Sequence, residues 1–159
     1  MKKALKEIKP GFGLGNLKFG ISRAEVKLML GEPSTIDTYS NTDSDKDLTE
    51  SWEYKDLNIS LSFFEEEDWK LLMISIFSDF YQLEGKSLIG LNKKIIGAEL
   101  KKVNLGEIYI EDCSETDFED EELIEVEEKS INFWFSNAIL DEIQWTPFFK
   151  DDDTINWPV

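Results

Sequence analysis

The sequence lacks several residues on which common catalytic chemistry depends. It contains no histidine, one arginine (Arg23) and one cysteine (Cys113). Without histidine there is no Ser–His–Asp triad, no imidazole general base and no histidine ligand for a metal ion. Cys113 lies among acidic residues, which disfavour the thiolate form that a nucleophile requires. We therefore predict that the protein is not an enzyme and that it uses no cofactor.

The chain also lacks a second cysteine and any long apolar run. A lone cysteine cannot form an internal disulfide, which is typical of proteins from reducing compartments. No stretch approaches the ~18 apolar residues that a membrane-spanning helix needs. The basic start, Met1–Pro10, is not followed by the apolar core of a signal peptide, and no lipobox is seen. These absences predict a cytoplasmic protein.

Positive charge is scarce in this chain. Its 159 residues include 17 Lys and Arg against 34 Asp and Glu, which gives a formal net charge of −17. Residues 84–159 are more acidic than residues 1–83. Nucleic acids and anionic lipid surfaces would be repelled, so we predict neither as a partner. A basic protein would be attracted and steered, although acidity also serves solubility alone.

The most informative segment is residues 19–33. Ser22 and Glu25 have the spacing of a capping box, which predicts that a helix begins there. Gly31 suits the left-handed end of a helix, and Pro33 cannot continue one. Arg23 falls in the first turn, where the helix dipole disfavours a cation. We expect it to pair with a surface carboxylate, with an anion clamp as the alternative.

A second segment repeats this pattern 70 positions later, which we interpret as an internal duplication. Residues 90–92 and 96 correspond to 20–22 and 26, and the alternating strands at 59–63 and 71–76 recur at 131–135 and 140–145. The predicted fold class is α+β. It consists of two tandem repeats, each with a short helix or helix pair and an antiparallel sheet of about three to four strands, with the helices on one face. The predicted division is an N-terminal arm (1–13), repeat unit 1 (14–82), repeat unit 2 (83–146) and an acidic C-terminal tail (147–159).

One acidic run resembles a set of metal ligands. Asp43, Asp45 and Asp47 alternate as in the first half of a calcium-binding loop. The glycine expected at the sixth position is Leu48 and the glutamate expected at the twelfth is Tyr54, so the EF-hand interpretation fails. We predict a solvated polar loop over residues 34–51. A weak calcium site at the three aspartates is the alternative, and otherwise no metal site is expected.

Strand alternation divides the sheet residues between two faces. One face carries most of the aliphatic mass, and we expect the helices to cover it; it comprises Ile59, Leu61, Phe63, Ile74, Ile76, Ile131, Phe133, Phe135, Ile143 and Trp145. The opposite face has small polar residues interspersed with aromatics, which is typical of a recognition surface. Its candidate protein-binding residues are Phe64, Met73, Phe77, Asn132, Trp134 and Gln144. An equally good interpretation of Trp134 is packing under a loop or between the two units.

Residues 20–33, Gly-Ile-Ser-Arg-Ala-Glu-Val followed by Leu-Gly-Glu-Pro, precede the Trp52-x-Tyr54 strand and further alternating strands. This arrangement resembles the small lipoproteins of outer-membrane assembly (the SmpA/OmlA type). Two such units in tandem resemble the β-lactamase inhibitor protein fold. The resemblance covers roughly residues 14–146. It implies paired units of helix and antiparallel sheet whose combined sheet grips another protein.

Two classes of function follow from these patterns. The preferred hypothesis is a non-catalytic protein-binding module, an immunity-type inhibitor of a basic toxin or effector protein. The alternative is a structural or accessory bacterial domain that self-associates as a homodimer. A binder of a small ligand in the cleft between the two units is a further alternative. The first hypothesis predicts a tight basic partner whose association weakens as salt rises.

Overall fold

A large antiparallel sheet dominates the structure, a computed structural model that describes residues 2–40, 47–102, 109–112, 121–151 and 154–158. The sheet has eight strands in the order β4-β5-β6-β7-β11-β10-β9-β8. A small sheet, β1-β2-β3, and a two-stranded ribbon, β12-β13, accompany it. The strands are β1 (Ile8–Lys9), β2 (Gly13–Leu14), β3 (Leu17–Lys18), β4 (Thr35–Ser40), β5 (Leu48–Tyr54), β6 (Ile59–Phe64), β7 (Lys70–Ile76), β8 (Tyr109–Asp112), β9 (Glu121–Val126), β10 (Ile131–Ser136), β11 (Ile139–Trp145), β12 (Phe148–Phe149) and β13 (Ile155–Asn156). The α-helices are α1 (Arg23–Leu30) and α2 (Lys93–Lys102).

The predicted fold class, α+β with two tandem repeats, is wrong. Strand makes up 45% of the structure and helix 21%, and the described residues contain two α-helices, so the protein is mainly β. The strands that we assigned to separate repeat units form one continuous sheet. β7 and β11 join the two halves through the pairs Ile76–Ile143 and Ile74–Trp145. This pairing removes two free edges that separate sheets would have left exposed.

Both described helices begin where a local cap residue predicts, and α1 ends at the predicted glycine. The Ser22 hydroxyl accepts a hydrogen bond from the Glu25 N–H at 3.2 Å, and the Asn92 side chain accepts one from the Ile95 N–H at 3.0 Å. Each bond satisfies a backbone donor that the first helical turn leaves free. Gly31 ends α1 with a φ of 81°, a conformation that disfavours residues with a Cβ. Neither described helix is long or apolar enough to span a bilayer.

The segments that precede the two helices make the same backbone contacts with the sheet. The N–H of Gly20 donates to the Leu71 carbonyl at 2.9 Å, and the N–H of Gly90 donates to the Leu140 carbonyl at 2.8 Å. The N–H groups of Leu71 and Leu140 in turn donate to residues 21 and 91, both at 2.9 Å. The sequence correspondence between residues 20–22 and 90–92 therefore accompanies a shared local geometry.

The predicted division of the sheet into two faces is confirmed. All ten residues predicted for the covered face are at most 2% exposed, and they share one core with the buried helix residues Val26, Leu30, Ile96 and Leu100. Burial of this apolar surface is the main stabilising contribution that the sequence offers. The opposite face is therefore the one turned away from both helices.

The prediction of a solvated loop over residues 34–51 is wrong where the structure describes that segment. Residues 35–40 form β4, and β5 begins at Leu48. All six residues of β4 are exposed, so the strand has the polarity of a loop. Its Thr, Ile and Tyr residues nevertheless favour extended backbone, and pairing with β5 supplies its hydrogen bonds. Asp43 and Asp45 lie outside the described residues.

Arg23 forms the ion pair predicted for it. Its guanidinium lies 3.0 Å from a carboxylate oxygen of Glu50 on β5 and 4.5 Å from the centre of the Trp69 ring. The other carboxylate oxygen of Glu50 accepts a hydrogen bond from the indole N–H of Trp52 at 2.6 Å. Because Glu50 bridges a helix residue and a sheet residue, it holds the first turn of α1 against β5 and offsets the unfavourable dipole interaction of Arg23.

Two buried tyrosines hold turns against the body. Tyr54 donates its hydroxyl to the Gly31 carbonyl at 2.9 Å, and Tyr81 donates its hydroxyl to the Leu57 carbonyl. Burial disfavours the phenolate and raises the pKa of each tyrosine to about 12. For Tyr54, the Glu32 carboxylate contributes to this rise in pKa.

Both ends of the chain pack against the body. Leu5 and Ile8 belong to the hydrophobic core, so the segment predicted as an N-terminal arm is not detached from it. Trp145 on β11 donates its indole N–H to the Gly13 carbonyl at 3.1 Å, which ties the small sheet to the large one. Trp157, in the segment predicted as an acidic tail, also packs against the core.

Candidate protein-binding face

The open face is the face of the eight-stranded sheet that is turned away from α1 and α2. A row of short polar and amide side chains crosses its centre. Ser60 lies opposite Ser75, Ser75 opposite Gln144, and Gln144 opposite Asn132. The Ser51 and Ser60 hydroxyls lie 3.3 Å apart and form a hydrogen bond. Ser75 is buried at 5% exposure, whereas Ser60, Asn132 and Gln144 are partly exposed. The amide pair is therefore the accessible part of this row.

The sheet register brings three of the predicted site residues together. Asn132 and Gln144 face each other on β10 and β11, and the indole N–H of Trp134 donates to the Gln144 side-chain oxygen at 3.5 Å. Trp134 lies opposite Glu142 on β11 and Leu123 on β9 and is half-buried. These residues form a single continuous patch.

The other three predicted residues lie in different places. Met73 lies opposite Ser62 and close to the amide pair. Phe77 is 43% exposed just beyond the end of β7, and Phe64 lies opposite Lys70 at the far end of β6. The six predicted residues therefore mark one patch with two separate aromatic positions, rather than one compact site.

A cavity of about 650 Å³ opens between the open face and the C-terminal segment. Three predicted residues, Met73, Asn132 and Gln144, line it together with Phe148 and other residues. Its further lining residues are Glu125, Val126, Glu127, Glu128, Ser130, Ile131, Trp145, Thr146, Phe149 and Asp151. The wall is therefore apolar and aromatic on one side, amide-bearing in the middle and acidic at the rim.

The electrostatic character of the cavity is negative. Glu125, Glu127 and Glu128 form no salt bridge with any residue that the structure describes, and Glu127 and Glu128 are exposed. Lys129, next to Glu128, lies over the Phe148 ring at 5.7 Å from its centre, and Lys150 lies between the lining residues Phe149 and Asp151 in the sequence. A cationic group entering the cavity would meet carboxylates that are not already paired with lysine or arginine in the described chain.

Sequence reasoning missed the C-terminal side of this cavity. Phe148 and Phe149 were assigned to an acidic tail, but they form β12, which pairs with β13. The adjacent pair of phenylalanines between Pro147 and the acidic run was the available signal. Glu127 and Glu128 were also not singled out, because an acidic turn between strands is usually only a solvated surface.

The structure provides no support for a metal site among the residues that it describes, which contain no group of three His, Cys, Asp or Glu side chains placed to hold an ion. Asp43 and Asp45 of the predicted weak calcium site lie outside those residues, as does Cys113. Asp47 alone cannot supply the six to eight oxygen ligands that calcium takes.

Comparisons of the chain with protein-family models, with curated proteins and with solved structures found no match. The resemblance to outer-membrane assembly lipoproteins and to the β-lactamase inhibitor protein fold stays a prediction. The open face and its acidic cavity are therefore the features of the molecule that bear on its function.

Proposed function

We propose that the protein is a non-catalytic binding module that holds a basic partner protein against its open face, as an immunity-type inhibitor of a basic toxin or effector. The observation that carries this proposal is the acid-rimmed cavity between the open face and the C-terminal segment. Lysine and arginine side chains combine an apolar stem with a charged, hydrogen-bonding head. The cavity offers the matching surfaces: Met73 and Phe148 for the stem, Asn132 and Gln144 for hydrogen bonds, and glutamates for the charge.

The size of the cavity fits one or two such side chains with part of the surrounding chain. Its volume of about 650 Å³ lies within the range of pockets that bury small ligands. The same volume would admit a small cationic molecule, so this alternative is retained as an outcome of the test below.

The charge of the protein favours a basic occupant on energetic and kinetic grounds. Two opposite charges ~4 Å apart attract by roughly 4 kcal/mol at the effective dielectric constant of a protein surface, before the cost of desolvation. The net charge of −17 would also raise the rate at which a basic partner encounters the protein. Self-association would instead bring two strongly negative molecules together, and this opposes the homodimer alternative.

Trp134 provides an apolar anchor near the cavity, where it is half-buried. Phe77, 43% exposed beyond the end of β7, is a separate aromatic position. Tryptophan and other large aromatic residues contribute disproportionately to binding energy at protein interfaces. A partner that places a basic side chain in the cavity would come close to Trp134, which lies two residues along β10 from Asn132 and donates to Gln144.

The test is a capture experiment followed by binding measurements with matched charge variants. Tagged protein captures partners from its native cells at about 50 and about 150 mM salt, and the affinity of a captured basic protein is then measured. The test variant combines Glu127→Lys and Glu128→Lys at the rim of the cavity. The control variant combines Glu66→Lys and Glu84→Lys, which are equally exposed but lie away from the cavity. Both variants change the net charge by the same amount.

We expect the test variant to bind at least about tenfold more weakly than the control, since it places repulsive charge at the docking position. Inhibition follows if an equimolar amount of the protein abolishes the activity of the captured partner. Equal weakening by both variants would mean that only overall charge matters and would refute the cavity as the site. Capture of the protein alone would favour the self-associating domain, and a co-purifying small cation would favour the ligand binder.

A further inference from the structure

The strand β4 forms one edge of the eight-stranded sheet and pairs only with β5. All six of its residues are exposed on both faces. Two of them have large hydrophobic side chains: Ile36 is 47% exposed and Tyr39 is 50% exposed. An edge strand directs the N–H and C=O groups of every second residue away from the sheet, where a further strand could pair with them.

Among the described residues, β4 has one of the usual features that protect an edge strand, the charge of Asp37, and lacks the others. Proteins block such edges with lysines, prolines, bulges or covering elements. β4 contains no lysine and no proline, and its register with β5 is regular from Thr35 to Ser40. Its composition of threonine, isoleucine and tyrosine favours strand pairing. At the opposite edge, the described strand β8 is four residues long, which makes β4 the longer template of the two.

We infer that β4 is a docking edge for an extended, basic segment of a partner protein, which adds to the sheet as a ninth strand. That the partner is basic rests on the proposed function. Its binding as an added strand at β4 does not depend on the cavity. Asp37 and Tyr39 lie in register with Ser51 and Thr49, residues of the open-face side of β5. An added strand would therefore extend the open face sideways and present its own basic side chains next to Asp37.

Charge selects this occupant over a second copy of the chain. β4 carries one charged residue, Asp37, and Glu53 lies on the same side of the neighbouring strand β5, whereas Glu50 is already paired with Arg23. Pairing of two copies through β4 would place the same acidic residues against each other in molecules of net charge −17. A basic strand would place lysine or arginine there instead, while the backbone hydrogen bonds supply the affinity.

The experiment is a selection of displayed random peptides of about nine residues against the whole protein, followed by affinity measurements on the synthesised winners. Two variants, Asp37→Pro and Thr38→Pro, each remove one backbone N–H from β4. The N–H groups of adjacent strand residues point in opposite directions, so one of the two donates to β5 and the other points away from the sheet. The variant that removes the outward N–H should keep wild-type stability, whereas the other should be destabilised. Asp37→Asn controls for the loss of charge alone.

We expect selected peptides to carry lysine or arginine alternating with β-branched residues, and to perturb the amide resonances of residues 35–40. The proline variant that keeps wild-type stability should bind them about tenfold more weakly, because it removes one backbone donor from the new pairing. The cavity variant, Glu127→Lys with Glu128→Lys, should bind them as the control variant Glu66→Lys with Glu84→Lys does, because both change the net charge by the same amount. A failure of the cavity proposal would thus leave this inference intact, and the reverse also holds.

Three outcomes would overturn the inference. The first is that no peptide is enriched on the wild-type protein above its enrichment on the stable proline variant. The second is that the enriched peptides are acidic or perturb amides away from β4. The third is a concentration-dependent dimer of the protein that the stable proline variant abolishes, which would assign the edge to a second copy of the chain.

Discussion

The free energy of unfolding of the wild-type protein should fall steeply above pH 10, and the variant Tyr81→Phe should lose much of that dependence. Tyr81 is 1% exposed and donates its hydroxyl to the Leu57 carbonyl. Burial raises the pKa of Tyr81 from 10.0 to about 12. Phenylalanine keeps the ring and its packing but removes both the hydrogen bond and the titrating group.

The size and sign of the effect follow from these two losses. At pH 8 the variant should be less stable by ~1 kcal/mol, because the Leu57 carbonyl loses its donor. A pKa raised from 10.0 to about 12 corresponds to roughly 2–3 kcal/mol at ~1.4 kcal/mol per pKa unit. Because the folded pKa is the higher one, this stabilisation is complete below pH 10 and is lost as the pH rises from 10 towards 12. The stability curves of the two proteins should therefore cross between about pH 10.5 and pH 11.

The assay is urea unfolding followed by tryptophan fluorescence at intervals from pH 8 to about pH 11.5. All other titratable groups are the same in both proteins, so the difference in free energy between the two proteins isolates Tyr81. The control is Tyr39→Phe, which removes the hydroxyl of a tyrosine that is 50% exposed and should stay within about 0.5 kcal/mol of the wild type. A difference between Tyr81→Phe and the wild type that stays constant over the whole pH range would refute the reasoning.

Four further substitutions test the fold at separate points. Ser22→Ala and Asn92→Ala each remove the side-chain cap of one helix and should each lower the free energy of unfolding by ~1 kcal/mol, with additive effects in the double variant, as urea unfolding would show. Trp145→Phe should cost ~2–4 kcal/mol, because it leaves a cavity and removes the indole donor of a buried carbonyl; a loss below 1 kcal/mol would mean that the indole is not held as described. Gly11→Ala should destabilise by ~1–3 kcal/mol and alter the environment of the Phe148 ring, since a methyl group there would overlap that ring at a φ of +73°; unchanged ring resonances of Phe148 would contradict this packing.

The helices were predictable because the information that specifies them is local. Ser22, Glu25 and Gly31 lie within ten residues of one another, and the same holds for Asn92 and the turn that follows it. A cap needs only a side-chain oxygen at the correct spacing from a free N–H, and this spacing can be read directly from the sequence. The faces of the central strands were predictable for a similar reason, because the period of two assigns each residue to a side of the sheet.

The continuity of the sheet was not predictable in this way. It depends on the pairing of β7 with β11, which joins Ile76 to Ile143 across 66 intervening positions of the chain. Alternation identifies each strand but does not specify its neighbour, and both partners have equally suitable apolar faces. β4 was missed for a different reason. Polar residues that are exposed on both sides of an edge strand have the composition of a loop, and only pairing with β5 reveals the strand.

The candidate site could not be predicted from local sequence either, because two acidic turns of similar sequence differ in their surroundings. Residues 65–68 and residues 127–130 each form a short helical turn that ends in a left-handed residue, Asp68 or Ser130. Only the second turn borders the cavity, since the C-terminal segment passes beside it and brings Phe148 against the same space. The position of that segment depends in turn on Gly11, whose missing side chain leaves room for the Phe148 ring. A contact across 136 intervening residues thus makes one of two similar acidic turns a candidate binding site, and no local property of either turn distinguishes them.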